Sequence, residues 1–523
     1  MRNFSIYPGT SDSATRGRTS LLMLLVMLLF VSSCGPTTET VVVGERARAI
    51  ENGDDEETIE SEEEIRVLKA GEVNRIQSFD PLFALNTATK RTIMLTYEGL
   101  VRFDENDEIV PAAAARWEVS DDSLTYTFEL RDDLYFHDDQ SFAQGRGRRV
   151  NSNDVVRLFE RMASRDVPPN AAEMFLDVIA GFEAYYLEQR EIYFEHDREI
   201  REIDGIEAVD NNTIAFHLLE TDQDFLARLA SPYAVLYPFE PFRFREEGLH
   251  RRPVGTGPFQ HESTIGDSLH IFLRNDSYHK ANEQGQQLPR VHRLELLNIT
   301  NETRLFTHFS RERLNMIMDL GPESVKTLLG STNQLQEQMN DLYRLEVLDN
   351  PDPIILQYNA ENRFGLGRAD AAAVIRHVDQ DILQSSLGYP SLEITYQETE
   401  FTQSNIGRTF QRFGVDQPYQ LSFAYNQDVM PRILSESIYE TIDSNLQVEL
   451  MQRRVFSRDI MLYLDYLQTH FPGREPDQHP REILRIETDR YMIFDQSTNG
   501  VRTNSLGWWI NLNHANVLED APL

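Results

Sequence analysis

One cysteine, Cys34, occurs among the 523 residues. An intramolecular disulfide framework, a Cys-rich zinc site and an iron–sulfur cluster are therefore excluded. A chain this long has no need of such staples, because it can bury a sizeable core. The place of the cysteine is as informative as its count. Arg2, Arg16 and Arg18 precede the apolar run Leu21–Val31. That run is too short to cross ~30 Å of hydrocarbon as a helix but has the length of a signal-peptide apolar region.

Val31-Ser32-Ser33-Cys34-Gly35 follows directly. An aliphatic residue, two small residues and a cysteine resemble a bacterial lipobox. In such signals the cysteine sulfur receives a diacylglycerol, and cleavage leaves that cysteine first. The resemblance implies a lipoprotein signal peptide over 1–33 and lipidation at Cys34. Each buried CH₂ of an acyl chain contributes ~0.8 kcal/mol, so two or three chains anchor firmly.

Residues 34–64 read as an acidic, disordered tether. Glu51, Asp54, Asp55, Glu56, Glu57, Glu60, Glu62, Glu63 and Glu64 run together without an offsetting base. Such a segment repels itself and has little apolar area to bury. Over the whole chain 85 acidic residues face 50 basic ones, a formal net charge of −35. Binding nucleic acid through a general basic surface is excluded by repulsion from phosphates. A mean hydropathy of −0.46 excludes a polytopic membrane protein. Lysine occurs only at Lys69, Lys90, Lys280 and Lys326. A habitat rich in salt and a GC-rich genome both account for that scarcity.

From Ile65 onward the pattern is globular. Ile65–Ala70, Leu124–Leu130, Thr213–Leu218, Leu269–Leu273, Val291–Leu297, Ile354–Tyr358 and Leu421–Tyr425 read as strands. Thr92–Leu100, Val155–Met162, Asp224–Ala230, Ala369–Leu387 and Met430–Leu446 read as helices. Asn151, Ser152, Asn153 and Asp154 offer caps for the second of these. Interleaved strands and helices define an α/β chain.

Several stretches, in order, resemble the large extracytoplasmic solute-binding proteins of ABC importers, the family of oligopeptide-, dipeptide- and nickel-binding proteins. They are Ser78-Phe79-Asp80-Pro81, Thr96-Tyr97-Glu98-Gly99-Leu100-Val101, Ile109–Asp122, Tyr126–Arg131, Phe136-His137-Asp138, Asn153–Val156, Ile206–Ile214 and Pro253-Val254-Gly255-Thr256-Gly257-Pro258-Phe259. The match is strongest over 65–275 and weaker later. It implies a two-lobed periplasmic-binding-protein-like fold of the large peptide-binding type, with an interlobe cleft. Lobe I is expected over 65–258 with 497–523 returning to it, and lobe II over 259–496. In Gly255-Thr256-Gly257-Pro258 the glycines are expected to permit positive φ and the proline to fix the exit. Trp117 is expected in the core, Asp80 at a turn cap, and Trp508 and Trp509 packed against the first lobe.

The chain also departs from the family. Gln140–Val150 is Arg-rich at Arg146, Arg148 and Arg149, which reads as a solvated loop or as a basic docking spot. Peptide-binding members carry a Trp-x-x-Asp-Tyr-x-Asp-Pro-like stretch whose aspartate pairs with the ligand ammonium. The counterpart is Tyr463-Leu464-Asp465-Tyr466-Leu467, without Trp or Asp-Pro. The ligand-binding residues implied by the resemblance are Asp465 and Tyr466, with Tyr97 and Tyr425.

No GxSxG, HExxH, CxxC or EF-hand loop is present, and the histidines lack metal-ligand spacing on one helix face. The expectation is a non-enzyme with no cofactor and no metal. It is expected to be monomeric, extracytoplasmic and held to a membrane through its lipid alone. It would capture a short peptide and deliver it to an ABC permease. A sensor or scaffold on the same fold, no longer supporting import, is the alternative that the altered Asp465 stretch leaves open.

Overall fold

The structure is a computed structural model. It describes residues 65–311, 313–329, 332–349, 354–357, 380–396, 419–425, 432–433, 436, 448–454 and 482–518. Everything below concerns the unit Glu64–Leu523. Met1–Glu63, including Cys34, lies outside the described residues, as do Asp465 and Tyr466.

The first strand, β1 (Val67–Glu72), runs through the middle of a seven-stranded sheet. A hairpin follows, β2 (Val101–Phe103) with β3 (Ile109–Pro111). Then β4 (Ala114–Val119), β5 (Thr125–Leu130), β6 (Ile206–Ala208) and β7 (Thr213–His217) form an antiparallel sheet in the order β4-β5-β7-β6. The helix Ser152–Met162 packs on it. Asn151 caps that helix and Asp154 completes a capping box, satisfying first-turn donors that otherwise lack partners. Val155, Leu158, Phe159 and Met162 form its buried stripe. Phe159 meets Phe175, Phe182 and Phe216 edge-on, at centroid distances of 5.1, 6.1 and 5.4 Å.

Strands β8 (Phe259–Ile265), β9 (Leu269–Arg274), β10 (Arg293–Asn298), β11 (Met316–Ile317) and β12 (Tyr343–Leu348) return to the large sheet. Next come β13 (Ile354–Gln357), β14 (Glu393–Tyr396), β15 (Tyr419–Tyr425), β16 (Val448–Arg454), β17 (Glu482–Glu487) and β18 (Arg490–Asp495). The large sheet reads β12-β18-β11-β1-β10-β9-β8. β1 is parallel to both β10 and β11, and the outer pairs are antiparallel. The crossover from β10 to β11 carries the helix Glu302–Ser310 past β1.

Period-two alternation divides the two faces of this sheet. Leu68, Ala70, Met316, Met492 and Phe494 enter one core; Ile317, Tyr491 and Ile493 enter the other. A third core spans Leu82 to Val254 and also takes in Leu506, Trp508 and Trp509. Both tryptophans are buried, and Trp509 Nε1 donates to the Phe103 carbonyl at 3.0 Å. Trp117, partly buried, packs against the same core.

A smaller sheet, β13-β17-β14, carries the next part of the chain. β12 pairs with β18, and β13 pairs with β17. Two paired stretches therefore link the large sheet to the small one, and a third link runs from β11 into the helix Pro322–Leu328. A division at 258/259 does not coincide with a change of sheet. β8, β9 and β10 all follow that point and share the sheet of β1. The reason is local: Gly255–Pro258 leads straight into β8, so the turn is a corner within the first region.

Among the described residues no helix is long and apolar enough to cross a membrane. β15 and β16 pair in parallel, with Tyr425 opposite Arg454. The helix expected over 369–387 is described only as Gln380–Leu387.

Candidate functional site

In open α/β sheets a crevice forms beyond the carboxyl ends of parallel strands, where connections diverge. In this chain those ends are Glu72 of β1, Asn298 of β10 and Ile317 of β11. The chain leaves them as Val73–Phe79, Ile299–Asn301 and Met318–Gly321. Asn298 Nδ2 donates to the Glu72 and Asn74 carbonyls at 3.0 and 2.6 Å, and its Oδ1 accepts from Ile76 N at 3.3 Å. One amide thus fixes the path of the loop that rims the crevice.

Beneath that loop lies a chain of buried polar groups. Arg91 Nη1 donates to Glu72 Oε2 at 2.5 Å, and Nη2 donates to the Gly507 carbonyl at 2.9 Å. Asn74 N donates to Glu72 Oε1 at 3.1 Å. Asn74 Nδ2 donates to Asp319 Oδ2 at 3.0 Å, and Arg490 Nη1 donates to the same oxygen at 3.0 Å. Two carboxylates thus face two guanidiniums, bridged by the backbone N–H and the side-chain amide of Asn74. Buried charges persist when matched and hydrogen-bonded in this way. The chain ties β1, the C-terminal stretch, the exit of β11 and the start of β18 into one base.

The links toward the small sheet are held as firmly. Glu302 accepts from Glu323 N and Ser324 N at 3.0 and 3.3 Å, capping the helix Pro322–Leu328. Burial nonetheless raises the Glu302 carboxyl above the usual range. A Cβ at Gly321 would collide with the Glu302 carboxyl carbon, so a larger residue there would displace the cap. Tyr389 Oη donates to the Leu320 carbonyl at 3.0 Å, and its ring stacks on Tyr491 with centroids 5.9 Å apart. Asn333 joins Tyr491 Oη at 2.9 Å and Asp489 Oδ2 at 2.6 Å. These groups sit at the links between the large and the small sheet, and the sequence reading did not find them.

The Gly255-Thr256-Gly257-Pro258 turn works differently from expectation. Neither glycine has positive φ among the described residues. Glycine is required because the backbone of Thr96 passes too close: a Cβ at Gly257 would lie 2.6 Å from the Thr96 carbonyl carbon. His137 pins the turn from the other side, with Nε2 donating to the Gly257 carbonyl at 2.9 Å and Nδ1 accepting from Gly255 N at 3.4 Å. Burial is the largest influence on this imidazole and lowers it to about 4, so it is neutral at pH 7.

Asp80 caps the short helix Pro81–Phe83 and also pairs with Arg161, whose Nη1 lies 2.9 Å from its Oδ1. Arg148 is bound by Asp154 at 2.7 and 2.8 Å and by Glu240 at 2.6 and 3.1 Å. Arg149 pairs with Asp132. Two of the three arginines of the loop Gln140–Val150 are therefore spent on neighbouring carboxylates.

The residues expected to bind ligand are dispersed. Tyr97 is buried at the end of the helix Thr87–Thr96, and its hydroxyl donates to the Phe79 carbonyl at 2.9 Å. Burial, and then Asp80, raise that phenol well above its ordinary value. Tyr97 touches the rim loop from below through Phe79. Tyr425 ends β15. Asp465 and Tyr466 lie outside the described residues.

Residues 108–351 match the family described as Bacterial extracellular solute-binding proteins, family 5 Middle. The dipeptide-binding protein of Escherichia coli is 32% identical over 209 residues, which are 39% of this chain and 36% of that protein. Heme-binding protein A of Haemophilus influenzae is 31% identical over 210 residues, again 39% of this chain and 36% of that protein. The chain thus matches little more than a third of the length of these curated relatives. Among solved structures, Listeria monocytogenes OppA bound to peptide has a TM-score of 0.66 at 13% identity, covering 87% of this chain and 99% of that one. The Escherichia coli murein tripeptide binding protein MppA has a TM-score of 0.67 at 14% identity, with the same coverage. At such identities these structures establish the fold, a periplasmic peptide-binding-protein architecture. Over residues 108–351 the chain is similar to family 5 of the bacterial extracellular solute-binding proteins.

Proposed function

We propose that the protein captures a short peptide between the crevice at the carboxyl ends of β1, β10 and β11 and the region beyond β13 and β17, and delivers it to an ABC permease. The observation that carries this reading is the buried Glu72–Asn74–Asp319 base with Arg91 and Arg490. It holds the rim loop and two links between the sheets rigidly while leaving the loop's outer edge for a ligand. An extended peptide would be held through its backbone, with side chains in water-filled pockets. Closure would occur by bending at the links. Names such as dipeptide-binding protein among the relatives support the peptide class.

In this reading Asp465 pairs with the peptide ammonium, and Tyr466 and Tyr425 line the second wall. Tyr97 supports the rim through Phe79. Lipidation at Cys34 and the acidic stretch 34–64 would tether the binding unit outside the cytoplasm, as a monomer. It would carry out no chemistry of its own.

The test is to purify the protein without denaturing it, unfold it and identify released small molecules by mass spectrometry. Mixed short peptides are expected, and Asp465→Asn should weaken peptide binding by about tenfold or more, the loss of one buried charge-assisted contact. A single non-peptide compound would replace the peptide assignment. A protein that releases nothing and binds no peptide in titration would favour the sensor or scaffold reading, which the altered Asp465 stretch motivates.

A further inference from the structure

A second buried charged cluster lies away from the crevice. Glu98, just past the helix Thr87–Thr96, is buried at its centre. His279 Nε2 approaches both of its carboxylate oxygens at 3.1 Å, Tyr278 Oη donates at 3.1 Å, and Thr256 Oγ1 donates at 3.3 Å. Lys280 Nζ stands 3.4 Å from Oε1. Burial tends to raise this carboxyl, but Lys280 and His279 outweigh it and hold Glu98 at about 2. Glu98 is therefore a fixed negative charge already well supplied with donors.

The bases around it are not equally well supplied with acceptors. Among the described residues Lys280 Nζ finds no hydrogen-bond partner despite its burial, and neither does Arg102 Nε. Arg102 Nη1 reaches only the Phe103 carbonyl, at 3.4 Å. Two carboxylates close by, Asp104 and Glu105, have partners of their own. Asp104 accepts from Asn106 N and Glu108 N at 2.8 and 3.0 Å, and Glu105 pairs with Arg502 at 3.4 Å. Arg131 is held by Asp133 through two bonds of 2.9 Å.

Arg102 and Lys280 are among the residues that line a cavity of about 440 Å³ between the hairpin Val101–Pro111, the loop Tyr278–Ala281 and the stretch Asn511–His514. Arg102, Arg131, His279, Lys280 and His514 all contribute to its wall. Among the described residues Arg102 has no ion-pair partner, and Lys280 has Glu98 alone, in a chain with four lysines. An oxyanion supplies the missing acceptors as charge-assisted hydrogen bonds. The volume admits a small organic acid rather than a bare ion alone.

We propose that this cavity is a second binding site, separate from the peptide crevice, for a small oxyanion: a carboxylate-bearing solute or a phosphate, held by Arg102 and Lys280. The ligand sits between the hairpin and the C-terminal stretch, where it would clamp both to the Glu98 cluster. Trp509 lines the smaller void behind the same wall and bonds to the Phe103 carbonyl, so its fluorescence reports on occupancy.

The experiment is calorimetric titration of the full-length protein at low ionic strength with citrate and, separately, with inorganic phosphate. Saturable binding of at least one is expected, weakened about tenfold or more by Arg102→Gln and by Lys280→Met. Tighter binding of citrate marks the carboxylate source, and tighter binding of phosphate the inorganic one. Arg304→Gln, on an exposed part of the helix Glu302–Ser310, should leave the affinity unchanged. Asp465→Asn should also leave it unchanged, which separates this site from the crevice. Arg102→Gln keeps the test valid if Lys280→Met unfolds, because Arg102 takes no part in the bonds around Glu98. Absence of saturable binding up to about 10 mM of either anion, or binding that survives both substitutions, overturns the proposal.

Discussion

The two buried ionic clusters of this protein differ in how their charges are matched. At the crevice base, Glu72 and Asp319 face Arg91 and Arg490, with Asn74 bonded to both carboxylates. At the hairpin, a single carboxylate, Glu98, is surrounded by His279, Lys280, Tyr278 and Thr256, and Arg102 stands beside them without a carboxylate ion pair among the described residues. A matched cluster balances its charges internally, so its role is to hold backbone in place rather than to take a ligand. A cluster with donors in excess is incomplete without one. The contrast separates structural burial of charge from burial that prepares a site.

The largest effect should come from breaking the matched cluster. Asp319→Ala leaves Arg490 buried opposite an alanine and removes the acceptor of Asn74. Removing one partner of a buried pair costs about 3–5 kcal/mol. Urea denaturation should show that loss as a fall in midpoint with an unchanged slope. Asp319→Asn, which keeps an acceptor, should lose less. Equal stability of Asp319→Ala and the parent would mean that the cluster does not hold the links together.

Acid should distinguish the clusters next. His137 braces the turn beside Glu98, and burial holds it at about 4 against an unfolded value near 6.5. The unfolded chain therefore takes up the proton first, and stability falls as pH drops from 6.5 to 4. The loss is about 3 kcal/mol for this one imidazole. His261 and His270 are also lowered to about 4 by burial and add losses in the same window. Glu98, at about 2, acts lower: its contribution is intact above the ordinary carboxylate value and fades as pH falls toward 2. Urea midpoints taken from pH 7 to pH 4 should decline more steeply for the parent than for His137→Gln. Parallel declines would remove His137 from the account.

How far these features were legible depends on the distance in sequence between partners. The helix Ser152–Met162 could be read, because its cap and its stripe lie within twelve residues. The family stretches up to Phe259 could be read for the same reason. The pairing of Asp319 with Arg490 could not, since 171 residues separate them and neither belongs to a recognisable local motif. Strand β18 reads as continuous apolar sequence, and only its pairing with β11 and β12 gives it a place. The glycines of the Gly255–Pro258 turn were identified as special, but the cause is the approach of Thr96, 159 and 161 residues earlier in the chain. One signal at the hairpin cluster was open to reading. Lysine is scarce, and Lys280 is one of four. Scarcity read as habitat concealed that two of the four, Lys90 and Lys280, are placed against the interior.

The relatives sharpen the same comparison. Proteins named for dipeptide and for heme are 32% and 31% identical to this chain over nearly the same length. Similarity at that level tracks the framework shared by such proteins, and solute choice lies in side chains outside it. The matched cluster holds strands and links of this chain in place. The donor-rich one has no structural demand that Arg102 answers, because its single bond of 3.4 Å is long. This leads to the smallest expected effect. Arg102→Gln should change stability by no more than about 0.5 kcal/mol in buffer free of added anion, as for substitutions that break no buried contact. In citrate or phosphate the parent should gain stability with concentration, following the linkage of binding to folding, and the variant should gain much less. Thermal midpoints measured across an anion series supply both quantities. A variant destabilised by several kcal/mol without any anion would make Arg102 a structural member of the cluster, and the distinction between the two clusters would then fail at that residue.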